Sequence, residues 1–190
     1  LERHIAFDVG ASGVTRALAE QLNAPAFLSN FSRMLIDPTR GLDDPTLLMK
    51  LYDGTVIPAN RTADEVEKAR RVEAFHAPYH SALTDLAARQ DDTVIIAIHS
   101  FTPRLNGRSP RPWHIGILHQ FDDRLSDPLL NLLHNEADLY VGDNEPYSGH
   151  LPGDSVDRPA LQMERAHAFS ELRSYLIEPP DPHTTWANRL

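Results

Sequence analysis

An imidazole at the end of an apolar strand can hold a metal ion or move a proton, and residues 94–100, Val-Ile-Ile-Ala-Ile-His-Ser, have that form. His99 would then stand at the sheet edge where ligands bind in α/β proteins. A strand-end histidine satisfied by backbone groups is the structural alternative. His4 and Asp8 are spaced i, i+4, so on one helical face both could reach a cation, or the carboxylate could orient the imidazole. A surface ion pair explains that spacing equally well.

Arginines form a third group. Arg33 and Arg40 stand alone, whereas residues 104–111 carry Arg104, Arg108 and Arg111 with no acid among them. Guanidinium forks suit carboxylates, which they grip in pairs of hydrogen bonds. The setting between Pro103, Pro110 and Pro112 argues for a rigid loop rather than a loose solvated one. Residues 142–149, Gly-Asp-Asn-Glu-Pro-Tyr-Ser-Gly, crowd two carboxylates, the Asn144 amide and a phenol into one turn. Glu171 and Arg173 flank Leu172, so on a strand they share a face, either as an exposed ion pair or with Glu171 as a general base.

Absences narrow the chemistry. The chain has no cysteine, which removes disulfides, thiol nucleophiles and thiolate metal sites, so any metal must rest on His, Asp or Glu. It has no HExxH, GxGxxG, P-loop or GxSxG sequence, and adjacent His99 and Ser100 would face opposite sides of a strand. A net charge of −9 argues against a nucleic-acid partner. No apolar run approaches the roughly 18 residues of a membrane span, and no hydrophobic leader is present.

The elements that must position these groups follow from period and punctuation. The spacing predicts a helix over about residues 5–22, stopped by Asn23 and Pro25. Short strands are expected at 26–29 and 33–36, then a long loop over 37–61. A helix follows over 63–89, with Thr62 and Glu65 as a capping box. Residues 93–98 predict a strand buried on both faces, and 114–118 and 139–141 predict further strands around a helix opening at Asp127-Pro128. Residues 142–158 are expected to be loop and 167–172 a last strand, with a short helix after Pro179-Pro180. Strands alternating with helices imply an α/β fold, one domain over 1–190 with a mostly parallel or mixed central sheet flanked by helices.

Taken together, the segments HIAFDVGA (4–11), FSRMLID (31–37) with Arg40, IPANR (57–61), IHSFTP (98–103), RPWHIG (111–116) and GDNEPYSG (142–149) resemble, in this order, those of N-formylglutamate amidohydrolases and their close relatives. The resemblance implies a zinc-exopeptidase-like (phosphorylase/hydrolase-like) α/β fold. It also implies metal-assisted hydrolysis of an N-formyl or other N-acyl amino acid, as in one route of histidine degradation, by a cytoplasmic enzyme. Asp8 and His99 then correspond to metal ligands for zinc or a similar divalent ion, and Glu171 to the general base. Arg33, Arg40, Arg111 and Arg173 correspond to carboxylate-binding groups, and Asn144 to a further substrate contact. The family usually carries an Asp-His-Ala-Ser-Asn-like segment upstream whose histidine supplies the remaining ligand. These 190 residues do not contain it, so the N-terminal strand segment and one ligand are expected to be missing from the chain as given. Tyr175 also departs from the aspartate more usual there. The alternative is a catalytically silent relative that binds acidic small molecules or a protein partner. The residues do not specify an oligomeric state.

Overall fold

The computed structural model describes residues 4–149, 152–157 and 159–190. Helix α1 (Ala11–Leu22) opens at Gly10, whose φ of 76° is left-handed backbone that ends the preceding turn. A helix from residue 5 is therefore excluded, and His4 and Asp8 do not share a helical face. A hairpin of β1 (Leu51–Tyr52) and β2 (Thr55–Val56) and the short helix α2 (Pro58–Arg61) interrupt the expected loop over 37–61. The long helix divides into α3 (Glu65–Arg71), a π turn (Val72–His76) and α4 (Ala77–Ala87). Its cap is Asp64, whose carboxylate accepts the Glu67 N–H, and not Thr62.

Then come β3 (Ile95–Phe101), β4 (Ile115–Leu118), α5 (Ser126–His134), β5 (Val141–Asp143), β6 (His167–Arg173) and α6 (His183–Ala187), close to their predicted places. The expected loop over 142–158 holds for its described residues; 150, 151 and 158 lie outside them. Residues 26–29 and 33–36 form no strand. Side chains meet the backbone there instead: Ser32 Oγ donates to the Ala6 carbonyl (3.0 Å) and Asn60 Nδ2 to the Met34 carbonyl (2.9 Å).

The chain divides into two compact units. The first comprises Leu1–Phe7, Ser29–Thr93 and Leu151–Arg165, and the second Asp8–Leu28, Val94–His150 and Ala166–Leu190. In the first, Arg71 is a buried hub: Nη1 donates to the Leu35 carbonyl and to Asn60 Oδ1, both at 2.7 Å, and Nε to Glu67 Oε1.

The second unit holds the mixed sheet, in the order β3-β6-β4-β5. Strand β6 runs parallel to β3 and antiparallel to β4, and β4 runs parallel to β5. Because β3 is an edge strand, it is partly exposed along most of its length rather than buried on both faces as expected. Residues opposite one another share a face, which separates two surfaces. Ile115, Ile117 and Leu172 line one, packed with Val14 of α1, Leu129, Leu130 and Leu133 of α5, and Trp186 of α6. This is the core of the unit.

The opposite face carries His99, Glu171, Gly116 and Gly142 in one row across all four strands. Both glycines are dictated by close approach. A Cβ on Gly116 would strike the carbonyl of Glu145, and one on Gly142 would press on Trp113 and on Glu145 Cβ at 2.8 Å. The turn at 142–149 thus lies directly on the sheet beside Glu171. Gly116→Ala should lower stability by about 1–3 kcal/mol, since the obstructing atom is backbone and cannot swing aside; comparing denaturant midpoints and thermal melts of the two proteins measures it.

Candidate active site

Asp8 lies two residues before the left-handed Gly10, where a Cβ would meet the carbonyl of Ile177. That close approach seats the start of α1 against the segment after β6. From there Asp8 Oδ2 lies 2.7 Å from His99 Nδ1. Neither side chain is far from solvent: 15% of Asp8 and 18% of His99 is exposed. His4, the other histidine of that motif, pairs instead with Asp53 at 3.3 Å in the first unit.

Glu171 is the register partner of His99, on the neighbouring strand and the same face, and is buried. Phe169, two residues earlier, presents its ring nearly parallel to the His99 imidazole with centroids 6.3 Å apart. Phe101 and Arg173 form the next pair along the same face. Glu171 and Arg173 are both buried, which removes the exposed ion-pair explanation of their spacing.

The arginines differ in what they have left to give. Arg173 commits all three guanidinium nitrogens: Nε–H to the Trp113 carbonyl (2.6 Å), Nη2–H to the Arg111 carbonyl (3.0 Å) and Nη1–H to the Tyr175 hydroxyl (2.7 Å). Arg111 donates from Nη1 to the Thr102 carbonyl (3.2 Å) and the Tyr147 hydroxyl (3.1 Å), and its guanidinium carbon sits 4.9 Å from the Tyr147 ring centroid. Both of these side-chain hydrogen bonds leave from Nη1. Arg104 and Arg108 are exposed, with Arg104 Nε donating to the Arg108 carbonyl.

Asn144, at φ 52°, spends its side-chain oxygen on the His119 N–H (3.0 Å) and its own N–H on the Ile117 carbonyl (2.9 Å), which pins the turn at 142–149 to β4.

In the first unit, Arg33 donates Nε and Nη2 to one oxygen of the fully buried Asp37. Arg40 donates Nε to Thr46 Oγ1 (3.1 Å) and Nη1 to Thr39. The turn carrying Arg40 is held by two stacked histidines, centroids 4.1 Å apart: His76 Nε2–H donates to the Arg40 carbonyl (2.9 Å) and His80 Nε2–H to that of Pro38 (3.1 Å).

One imidazole nitrogen and one carboxylate oxygen are donors zinc accepts, but two donors around tetrahedral zinc stand ~3.3 Å apart, against the hydrogen-bonding 2.7 Å here. Among the described residues no group of three His, Asp or Glu side chains gathers to hold a metal. The pair is thus of a kind that zinc accepts, and its spacing is that of a hydrogen bond.

The family model for N-formylglutamate amidohydrolase matches residues 1–174. The chain belongs to the N-formylglutamate amidohydrolase family. As an amidohydrolase it shares its fold with a gene product of Agrobacterium tumefaciens: TM-score 0.89 and 31% identity over 98% of this chain and 75% of the other. It also resembles in fold an N-formylglutamate amidohydrolase from Ralstonia eutropha: TM-score 0.68 and 20% identity over 94% of this chain and 77% of that one. No match was found among curated proteins. The amidohydrolase has the expected α/β class with a mixed central sheet flanked by helices. Among its described residues no helix is long and apolar enough to cross a membrane.

Tyr147 and Phe169 were not singled out from sequence. Strand parity could have found Phe169, which shares the odd-numbered face of Glu171 and Arg173. Nothing local pairs Tyr147 with an arginine 36 positions away.

Burial sets the acid behaviour of the His76 clamp. It lowers the imidazole pKa below the ordinary 6.5, although the Arg40 carbonyl and Asp37 push upward. The folded state thus resists the proton more than the unfolded chain does. The stability this histidine contributes is complete above pH 6.5 and is lost as pH falls through 6.5 towards the lowered value. His76→Asn should cost about 1–2 kcal/mol at pH 8, with the gap from the parent narrowing by pH 5; melting curves of both proteins across that range check it.

Proposed function

We propose that this amidohydrolase cleaves the amide of an N-formyl or other N-acyl amino acid of the acidic, N-formyl-L-glutamate type. The observation that carries the reading is the row on one sheet face: His99 touching Asp8 at one end, and Glu171 beside it on the next strand. Family membership supports amide hydrolysis as the reaction.

Asp8 and His99 are the residues that would hold a divalent metal such as zinc. The chemistry such a metal supplies is Lewis acidity and a water acidified towards a pKa of ~7. Glu171, fixed mid-strand next to His99, takes a proton from the attacking water on its carboxylate. It then returns that proton to the departing amine nitrogen, which would otherwise be too basic to leave. Its burial excludes competing water. Arg111 presents its Nε–Nη2 edge to a substrate carboxylate, in the side-on geometry where two N–H groups meet two oxygens. The buried Phe169 and Phe101 rings pack on the same face, against His99 and beneath the Arg111 guanidinium respectively.

Two measurements test this. Glu171→Gln should bind substrate much as the parent does while losing kcat by about 10²- to 10⁴-fold, read from steady-state kinetics on N-formyl-L-glutamate with metal supplied. His99→Ala and Asp8→Asn should each reduce bound zinc, measured by elemental analysis after dialysis against a buffered zinc supply. Unchanged zinc content in both variants overturns the metal assignment. Absence of turnover on a panel of N-acyl amino acids, with dicarboxylates still bound, overturns the catalytic reading in favour of a silent binder.

A further inference from the structure

Arg111 lies in the sequence Pro110-Arg-Pro112, just before β4 begins at Ile115. Proline has no N–H to give a β-ladder, so of residues 110–112 only Arg111 donates from its backbone, to the Pro103 carbonyl at 2.9 Å. The backbone ladder reaches as far as His114, whose carbonyl accepts the Arg173 N–H at 3.0 Å, and there it would stop.

Beyond that point the Arg173 side chain takes over. Its Nε–H meets the Trp113 carbonyl and its Nη2–H the Arg111 carbonyl, so one planar guanidinium supplies two donors to the carbonyls on either side of Pro112. The third nitrogen donates to Tyr175, whose ring centroid lies 5.4 Å from the guanidinium carbon. Only 8% of Arg173 is exposed, so its charge is aimed inward at backbone. From the other side, Tyr147 accepts a hydrogen bond from Arg111 Nη1 and stacks on its guanidinium. Tyr147 is carried by the turn that Gly116 and Gly142 admit onto the sheet.

We infer that Arg173 and Tyr147 are positioning residues for Arg111: Arg173 fixes its backbone, Tyr147 fixes the direction of its guanidinium, and neither itself grips the substrate. This rests on the proposed role of Arg111. It assigns Arg173 an action through Arg111 in place of the direct carboxylate contact implied by the family resemblance. A lysine in its place has a single nitrogen and cannot reach two carbonyls and a phenol in one plane.

The test is a set of double-mutant cycles on the full metal-supplied protein, read as KM and kcat for N-formyl-L-glutamate, with melting temperatures alongside. Tyr147→Ala and Arg173→Lys should each raise KM by about tenfold, the scale of one well-made hydrogen bond to a charged group, with kcat changed less than about threefold. In an Arg111→Ala background the same substitutions should change KM by less than about twofold, because what they position is gone. Tyr147→Phe, which keeps the stacked ring, should fall between parent and Tyr147→Ala. Tyr147 is 37% exposed, so its variants can be read even if Arg173→Lys fails to fold. Additive losses across the cycle overturn the positioning role while leaving Arg111 a substrate contact. An Arg111→Ala enzyme with unchanged KM overturns both. A fall in melting temperature with KM unchanged marks Arg173 and Tyr147 as structural only and overturns the inference.

Discussion

The register of β6 between its two neighbours is the constraint on which the rest of the second unit depends. Every residue of this strand is buried, yet it alternates between aliphatic core and charged groups: Leu172 faces the helices, while Glu171 and Arg173 face the other way. A slip of one position would exchange the two surfaces, placing a carboxylate among Leu133, Ile117 and Trp186. Burying an unpaired charge there would cost more than the strand pairing returns. Correct pairing with both β3 and β4 is therefore favoured over a one-residue slip by the charge that such a slip would bury.

From that register the chemistry inherits its geometry. His99 is placed by β3, Glu171 by β6, and Gly116 and Gly142 by the other two strands, so a single perpendicular line through the sheet runs from an imidazole to the turn that carries Tyr147. Asp8 joins this line without belonging to the sheet. It arrives from the start of α1, whose own position is set by Gly10 against the Ile177 carbonyl and by Gly13 against His183. Two sets of glycine contacts, one under the helix and one under the turn, thus bring polar groups to opposite ends of the same row.

Much of this was legible in the sequence, because alternation, proline punctuation and capping are local signals. The strands around Ile98, Ile115 and Phe169, the helix at Asp127-Pro128 and the α/β class all follow from them, as does the shared face of Glu171 and Arg173. The failures came where the deciding partner is far away. The i, i+4 spacing of His4 and Asp8 looks helical until Gly10 is known to be left-handed. The apolar run before His99 reads as central until the order of the strands puts it at an edge. The arginines were recognisable as a group, but not which of them were already spent. Arg33 answers to Asp37 and Arg173 to carbonyls 60 and 62 positions back, and only the folded chain distinguishes these from Arg111.

The glycine-floored turn at 142–149 has an implication for how such a protein could change over time. It rests against strand backbone at Gly116, with Asn144 tying it to β4, so a change in its length would break these contacts. This turn is consequently closed to the insertions and deletions by which surface loops usually diversify. It can drift only by exchange of side chains along a backbone of fixed length. Relatives with different appetites should accordingly share this turn's outline and differ in what projects from it.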